Sequence, residues 1–206
     1  VTVTYPVHDP IFTSTVAVGP GTVTIVDLPD DAAQDWAPNT IANNVVRAIA
    51  EQEFSVYMVN GVNGSTDAAL GLPVDTMNTD YIVMDYNPRF VGSQFVVVAM
   101  RDQTAVTITP TNNLVETDKL FPRAAGVPFT VVLDRGQGYF ARSLNTSGPE
   151  GSLTGTTISA SGPVGLTNGN GCTQVPTGTA ACDHIFEVAQ PVQSWGRRVL
   201  AANLPA

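Results

Sequence analysis

The feature that most constrains this chain is a succession of short β-branched runs separated by turn residues. Residues 1–5 (VTVTY) and 21–26 (GTVTIV) alternate with period two. Residues 54–59 (FSVYMV), 81–84 (YIVM), 94–100 (QFVVVAM), 105–109 (AVTIT), 129–133 (FTVVL), 139–142 (YFAR), 156–159 (TTIS) and 198–201 (RVLA) continue the series. Val, Ile, Thr and aromatic side chains suit a pleated, half-buried surface, and Gly, Pro, Asn and Asp between them mark reversals. Gly19-Pro20-Gly21, Asn60-Gly61, Asn63-Gly64, Asp134-Arg135-Gly136, Asn168-Gly169 and Asn170-Gly171 read as those turns. The pattern predicts an all-β fold. One segment competes: residues 39–53 carry Ile41, Val45 and Ile49 at four-residue spacing. That fits an amphipathic helix as well as one more pairing strand.

An internal repeat bears on that choice. Residues 1–6 (VTVTYP) resemble 106–110 (VTITP), and 12–28 resemble 129–144, each a strand running through Gly-x-Gly into a second strand. Residues 54–61 (FSVYMVNG) resemble 162–169 (GPVGLTNG), and 72–76 (LPVDT) resemble 190–194 (QPVQS). Landmarks in the same order predict two sequence-related β-sandwich-like repeats packed together. The first spans 1–90 and the second 91–206, split near 88–92, as one compact unit of a larger protein. Residues 39–53 then align with 151–160 (GSLTGTTISA), so strand is expected there. The second copy is preceded by the run 94–100; the first has no counterpart, which leaves an open edge for another module to cover.

Charge excludes some functions. The 206 residues include 18 acids, 9 bases and one lysine, Lys119, for a net charge of −9. Duplex nucleic acid needs a basic footprint, so it is not an expected partner. No apolar run approaches the roughly 18–20 residues of a membrane span. The 43% of hydrophobic residues suffices for a core.

Cys172 and Cys182 flank a short loop rich in Thr, Gly and Pro. They suit either a small-loop disulfide in an oxidising compartment or two free thiols in the cytosol. The scarcity of lysine and abundance of Thr and Asn favour an extracellular setting and the disulfide. Metal ligation is disfavoured, since the spacing is not CxxC and only His184 is near. Nor is Cys182-Asp183-His184 read as a nucleophile and base, because adjacent residues in a strand point to opposite faces and the disulfide is the favoured role of Cys182. The chain contains no GxSxG elbow, HExxH or Walker A motif.

The acidic stretch 27–38 (DLPDDAAQDWAP) holds Asp30, Asp31, Asp35 and Trp36, the candidate ligand-binding residues. Short-spaced oxygen donors suit calcium, but the spacing matches neither an EF-hand nor an RTX loop, and a solvated acidic loop is the favoured reading. Which metal, if any, is unknown from the sequence, and no cofactor is expected. Trp36 and Trp195 suit stacking on sugars or protein partners, although Trp195-Gly196 reads first as a core aromatic beside a turn. Asn63 and Asn145 begin glycosylation sequons.

Several runs resemble one family. These are 65–75 (STDAALGLPVD) with 81–84, 93–110 (SQFVVVAMRDQTAVTITP), 129–139, 153–156, and the closing Gly162-Pro163-Val164, Gly169-Asn170, Cys172, Cys182-Asp183-His184, Pro191 and Trp195-Gly196. Together they resemble the IgG Fc-binding protein N-terminal domain family, in its bacterial surface and adhesin-type members. The resemblance covers nearly the whole chain and rests on strand and turn residues. It implies an extracellular or cell-surface location and non-covalent binding or adhesion through loops on a β scaffold. It does not imply that this chain binds IgG. The expected partner is a host or matrix protein or a glycan, with neighbouring domains of the same chain alongside. The alternatives are a structural spacer of a large surface protein and a carbohydrate-active enzyme; no enzymatic activity is expected.

Overall fold

The computed structural model describes residues 1–7, 10–33, 37–62, 64–115 and 123–200. In chain order the strands are β1 (Thr2–Tyr5), β2 (Phe12–Thr15), β3 (Thr40–Ala42), β4 (Arg47–Ile49), β5 (Val56–Val62), β6 (Ser65–Gly71), β7 (Asn78–Ile82), β8 (Ser93–Ala99), β9 (Thr104–Thr109), β10 (Phe129–Leu133), β11 (Gly138–Arg142), β12 (Thr157–Thr173) and β13 (Asp183–Val188). The described residues contain short 3-10 turns and no α-helix, so the fold is all-β, as expected.

The long strand β12 organises the molecule. Along 157–160 it pairs with β9 on one side and β7 on the other; further on it pairs with β8 along 164–166 and with β13 from Thr167 to Thr173. It bends between these halves, where the pairing with β7 shifts register beside Gly162-Pro163. One layer is therefore β7, the first half of β12, β9 and β10. The other is β13, the second half of β12, β8, β11 and β3. The result is a nearly closed, barrel-like sandwich sharing one strand.

Strict alternation fills the space between the layers. β8 buries Phe95, Val97 and Ala99; β9 buries Val106 and Ile108; β12 contributes Ile158, Val164 and Leu166. Period-two patterning places one face of each strand inward, and burial of these side chains drives the packing. Tyr81 is buried with them, and its hydroxyl donates to Val164 O at 2.7 Å. Tyr139 is buried as well, which pushes its hydroxyl pKa up to about 12 against the opposing pull of Arg123. That hydroxyl donates to Asn39 Oδ1 and ties β3 to the sheet. The β10–β11 reversal places Gly136 at φ 81°, the turn role expected for it.

Two smaller units flank the sandwich: a sheet in the order β2-β1-β4, and the ribbon β5–β6. The ribbon lies along β13, where Phe186 N donates to Asp67 Oδ2 at 2.8 Å.

Several local expectations change. Within residues 39–53 only Thr40–Ala42 and Arg47–Ile49 are strand, with no helix; these two pieces lie in different sheets, and Ile41 and Ile49 point to solvent. Residues 21–26 form no strand. The expected turn is present, with Thr22 N donating to Gly19 O at 3.1 Å, but beyond it Val23 is 91% and Ile25 80% exposed. Alternation produces a strand only where a ladder partner and a face to bury exist, and this segment has neither. Residues 198–200 are also outside any strand, with Val199 and Leu200 exposed. β6 and β13 form where composition alone does not single out a strand. Asn60-Gly61, Asn168-Gly169 and Asn170-Gly171 lie inside strands rather than in turns. Trp195 is 47% exposed, not a core residue.

Cys172 and Cys182 form a disulfide across the β12–β13 connection, ten residues apart, with Cα atoms at 5.3 Å. Closing a loop of this length stabilises mainly by restricting the unfolded chain, by about 2–3 kcal/mol. Replacing both cysteines with alanine is expected to lower Tm by about 5–10 °C, measured by calorimetry. An unchanged Tm would mean the loop is already ordered without the bond.

Two carboxyls make stability acid-sensitive. The Thr79 hydroxyl, then Ser159 and Gln193, hold Asp80 below the usual carboxylate range; the Ser65 hydroxyl does the same, most strongly, for Asp183. A carboxyl with a depressed folded-state pKa adds stability that is complete above its unfolded value near pH ~3.9. That stability disappears as pH falls through the lower folded value. Chemical unfolding between pH 6 and pH 2 should show a decline beginning near pH 4, made shallower by Asp80→Asn. An equally steep decline in that variant would assign the effect to other groups.

Candidate functional site

The second half of β12 carries the local chemistry. Asn168 and Asn170 are 5% and 1% exposed, and their amides act as strand partners for a segment outside the ladder. Asn168 Nδ2 donates to Met84 O at 2.5 Å. Asn170 Nδ2 donates to Tyr86 O at 2.9 Å and to Ser93 Oγ at 2.8 Å, and its Oδ1 accepts from Tyr86 N at 3.2 Å. Thr173 Oγ1 donates to Asn87 O at 2.6 Å, and Arg89 N donates to Cys172 O at 2.8 Å. Residues 84–89 are thus held along β12 by its side chains and by one backbone bond.

Between this segment, β12, β13 and β6 lies an open groove of about 270 Å³. Asn168 and Gly169 line it from β12, Met84 and Asp85 from the pinned segment, Asp67 and Ala68 from β6, and Ile185, Phe186 and Glu187 from β13. A smaller pocket of about 80 Å³ shares Asn168, Gly169 and Phe186 with it. Gly169 makes this junction possible: a Cβ there would lie 1.9 Å from Ile185 O and 2.8 Å from Phe186 Cα.

The groove is acidic, and its inner carboxylates also hold its walls. Asp85 accepts from Ser152 Oγ at 2.5 Å, Leu153 N at 2.8 Å and Thr154 Oγ1 at 2.8 Å. Asp67 accepts from Ala68 N and Phe186 N, both at 2.8 Å. Glu187 is exposed and accepts from Val188 N through Oε1 at 3.1 Å. Asn168 Oδ1 is buried and has no hydrogen-bond partner.

Beside the groove, Ser65 Oγ lies 2.7 Å from His184 Nδ1, accepts from His184 N at 3.0 Å and donates to the Asp183 carboxylate. The serine hydroxyl is fully engaged in joining β6 to β13. The His184 ring stacks on Phe186 with centroids 6.0 Å apart.

The residues singled out from the acidic stretch lie elsewhere. Asp30 and Asp31 open the 3-10 turn Asp30–Ala33, where Tyr5 Oη donates to Asp31 O at 3.2 Å. Asp35 and Trp36 lie outside the described residues, as do His8 and the sequon residue Asn63. The other sequon residue, Asn145, is exposed. Among the described residues, no three His, Cys, Asp or Glu side chains converge as a metal site. Sequence reasoning missed the groove. Its one legible signal was the pair Asn168-Gly169 and Asn170-Gly171, which reads equally as turns.

Fold and groove define an all-β sandwich domain with a preformed acidic recess on one layer. The family model described as IgGFc binding protein matches residues 67–204, and the chain belongs to that family. Every residue lining the groove falls within that match. The chain is also similar to the human IgGFc-binding protein, at 27% identity over 192 residues. That alignment covers 92% of this chain and 3% of the human protein, so the chain spans a small fraction of its relative's length. No solved structure matches the chain. Among the described residues, no helix is long and apolar enough to cross a membrane.

Proposed function

We propose that this domain is an extracellular binding and adhesion module that recognises its partner non-covalently, without catalysis. Membership of a family whose human relative is named for binding IgGFc supports a protein partner. The observation that carries the reading is the preformed groove on one sheet layer, its wall 84–89 pinned by the buried amides of Asn168 and Asn170. Preorganisation of this kind lowers the cost of ordering a binding surface. Asp67 and Asp85 are taken up with wall hydrogen bonds, which supports binding over acid–base hydrolysis. The bacterial surface and adhesin-type members are the branch in which we place it, on the strand-and-turn runs quoted above. The partner is a host or matrix protein in preference to a glycan.

The test is a protein and glycan array probed with the purified chain, with and without EDTA. Saturable binding to a protein is the expected result. Silence in both conditions would leave the spacer reading standing, and cleaved glycans detected by mass spectrometry would establish an enzyme. Signal lost in EDTA would place a calcium ion in the interface.

A further inference from the structure

We infer that the groove on β12 takes the arginine side chain of a partner protein. This rests on the reading of the domain as a binding module and names the chemistry of its partner. The polar side-chain atoms that the groove residues leave without a matching donor are acceptors. Asp67, Asp85 and Glu187 bring carboxylates from three separate segments. Asn168 adds Oδ1, an acceptor without a partner on a side chain 5% exposed. Nearby donors are already used: Asn168 Nδ2 by Met84 O, Ala68 N and Phe186 N by Asp67, and Val188 N by Glu187. Among the described residues, no lysine or arginine lines the recess. A buried acceptor without a donor is costly, so the complementary ligand presents several N–H groups and positive charge.

Two cationic ligands meet that description, a divalent metal and an organic cation. The carboxylates do not converge in the geometry of a metal site, and Met84, Ile185 and Phe186 give the recess apolar walls that a hydrated ion would not use. An arginine uses both halves. Its methylenes lie along Met84 and Ile185, and its planar guanidinium stacks on Phe186 and reaches Glu187 and Asn168 Oδ1. The net charge of −9 attracts a basic partner surface at long range.

The experiment titrates the 15N-labelled chain, at low salt, with N-acetyl-arginine amide, with its lysine counterpart, and with the neutral isostere N-acetyl-citrulline amide. Saturable shifts confined to Ala68, the Asn168 side-chain amide, Gly169, Phe186 and Glu187 are expected from the arginine probe. Lysine should bind more weakly and citrulline at least about tenfold more weakly, because charge-assisted bonds carry the affinity. Glu187→Gln, which leaves the wall hydrogen bonds of Asp67 and Asp85 in place, should weaken arginine binding about fivefold, the worth of one partly exposed ion pair. Its melting temperature, taken in parallel, should be unchanged. Equal response to citrulline, shifts spread over the whole acidic surface, or the same residues responding to calcium chloride at lower concentration would each overturn the inference. Array binding with no arginine response would refute this site and leave the binding function intact; silence in both experiments would refute both.

Discussion

Alanine at Gly169 is expected to destabilise the domain by about 3 kcal/mol or more, a loss at the upper end of overpacking substitutions. The added Cβ would stand 1.9 Å from Ile185 O, less than any contact a real side chain makes. The obstacle is backbone of the neighbouring strand, which has no rotamer to change. β13 must therefore move off β12, and the pairs Gly169–Phe186 and Asn168–Glu187 stretch with it. The same movement opens the groove, because Phe186 and Glu187 line it. Chemical denaturation should show the loss of stability, and hydrogen exchange should localise it to residues 167–173 and 183–188. A variant as stable as the parent would mean that the two strands do not approach as closely as described.

Asn170→Ala carries the second large effect, about 3–4 kcal/mol. It removes a side chain bonded to both backbone groups of Tyr86, leaving that N–H and C=O without these partners, and also the bond to Ser93 Oγ. Stripping partners costs about 1–3 kcal/mol for a buried group; the Tyr86 groups are partly buried and the Ser93 contact fully so, and the small cavity adds to the loss. Asn170→Asp is the informative companion. It retains an acceptor for Tyr86 N, loses the donor to Tyr86 O and Ser93, and buries a charge without a cationic partner. Equilibrium unfolding should rank the parent above both variants. The segment 84–89 should lose exchange protection before the core strands do. If that segment stays protected in Asn170→Ala, other bonds hold it and the amide is incidental.

The two substitutions show why the sandwich was easier to read than the groove. β8, β9 and β10 were expected nearly to the residue, since each buries one face of a strict alternation of β-branched side chains. Residues 21–26 alternate as cleanly and form no strand, because alternation does not specify a partner. Asn-Gly pairs favour turns when considered locally. In β12 a long-range environment overrides that preference: each asparagine amide replaces a missing ladder bond, and Gly169 admits a close neighbour. Asp67, Asp85 and Glu187 are unremarkable acids until β6, residues 84–89 and β13 meet.

What the sequence determined by itself is the fold class, the core strands β8 to β11, the Gly136 turn and the cysteine pair. Each follows from short-range stereochemistry, from period-two burial, or from a covalent bond between residues ten apart. Tertiary structure alone decided how one bent strand serves two layers, which polar side chains are buried, and where the carboxylates gather. Those properties depend on contacts between residues about 70 to 120 positions apart, such as Asp85 with Leu153 and Asp67 with Phe186, and local pattern does not determine such contacts.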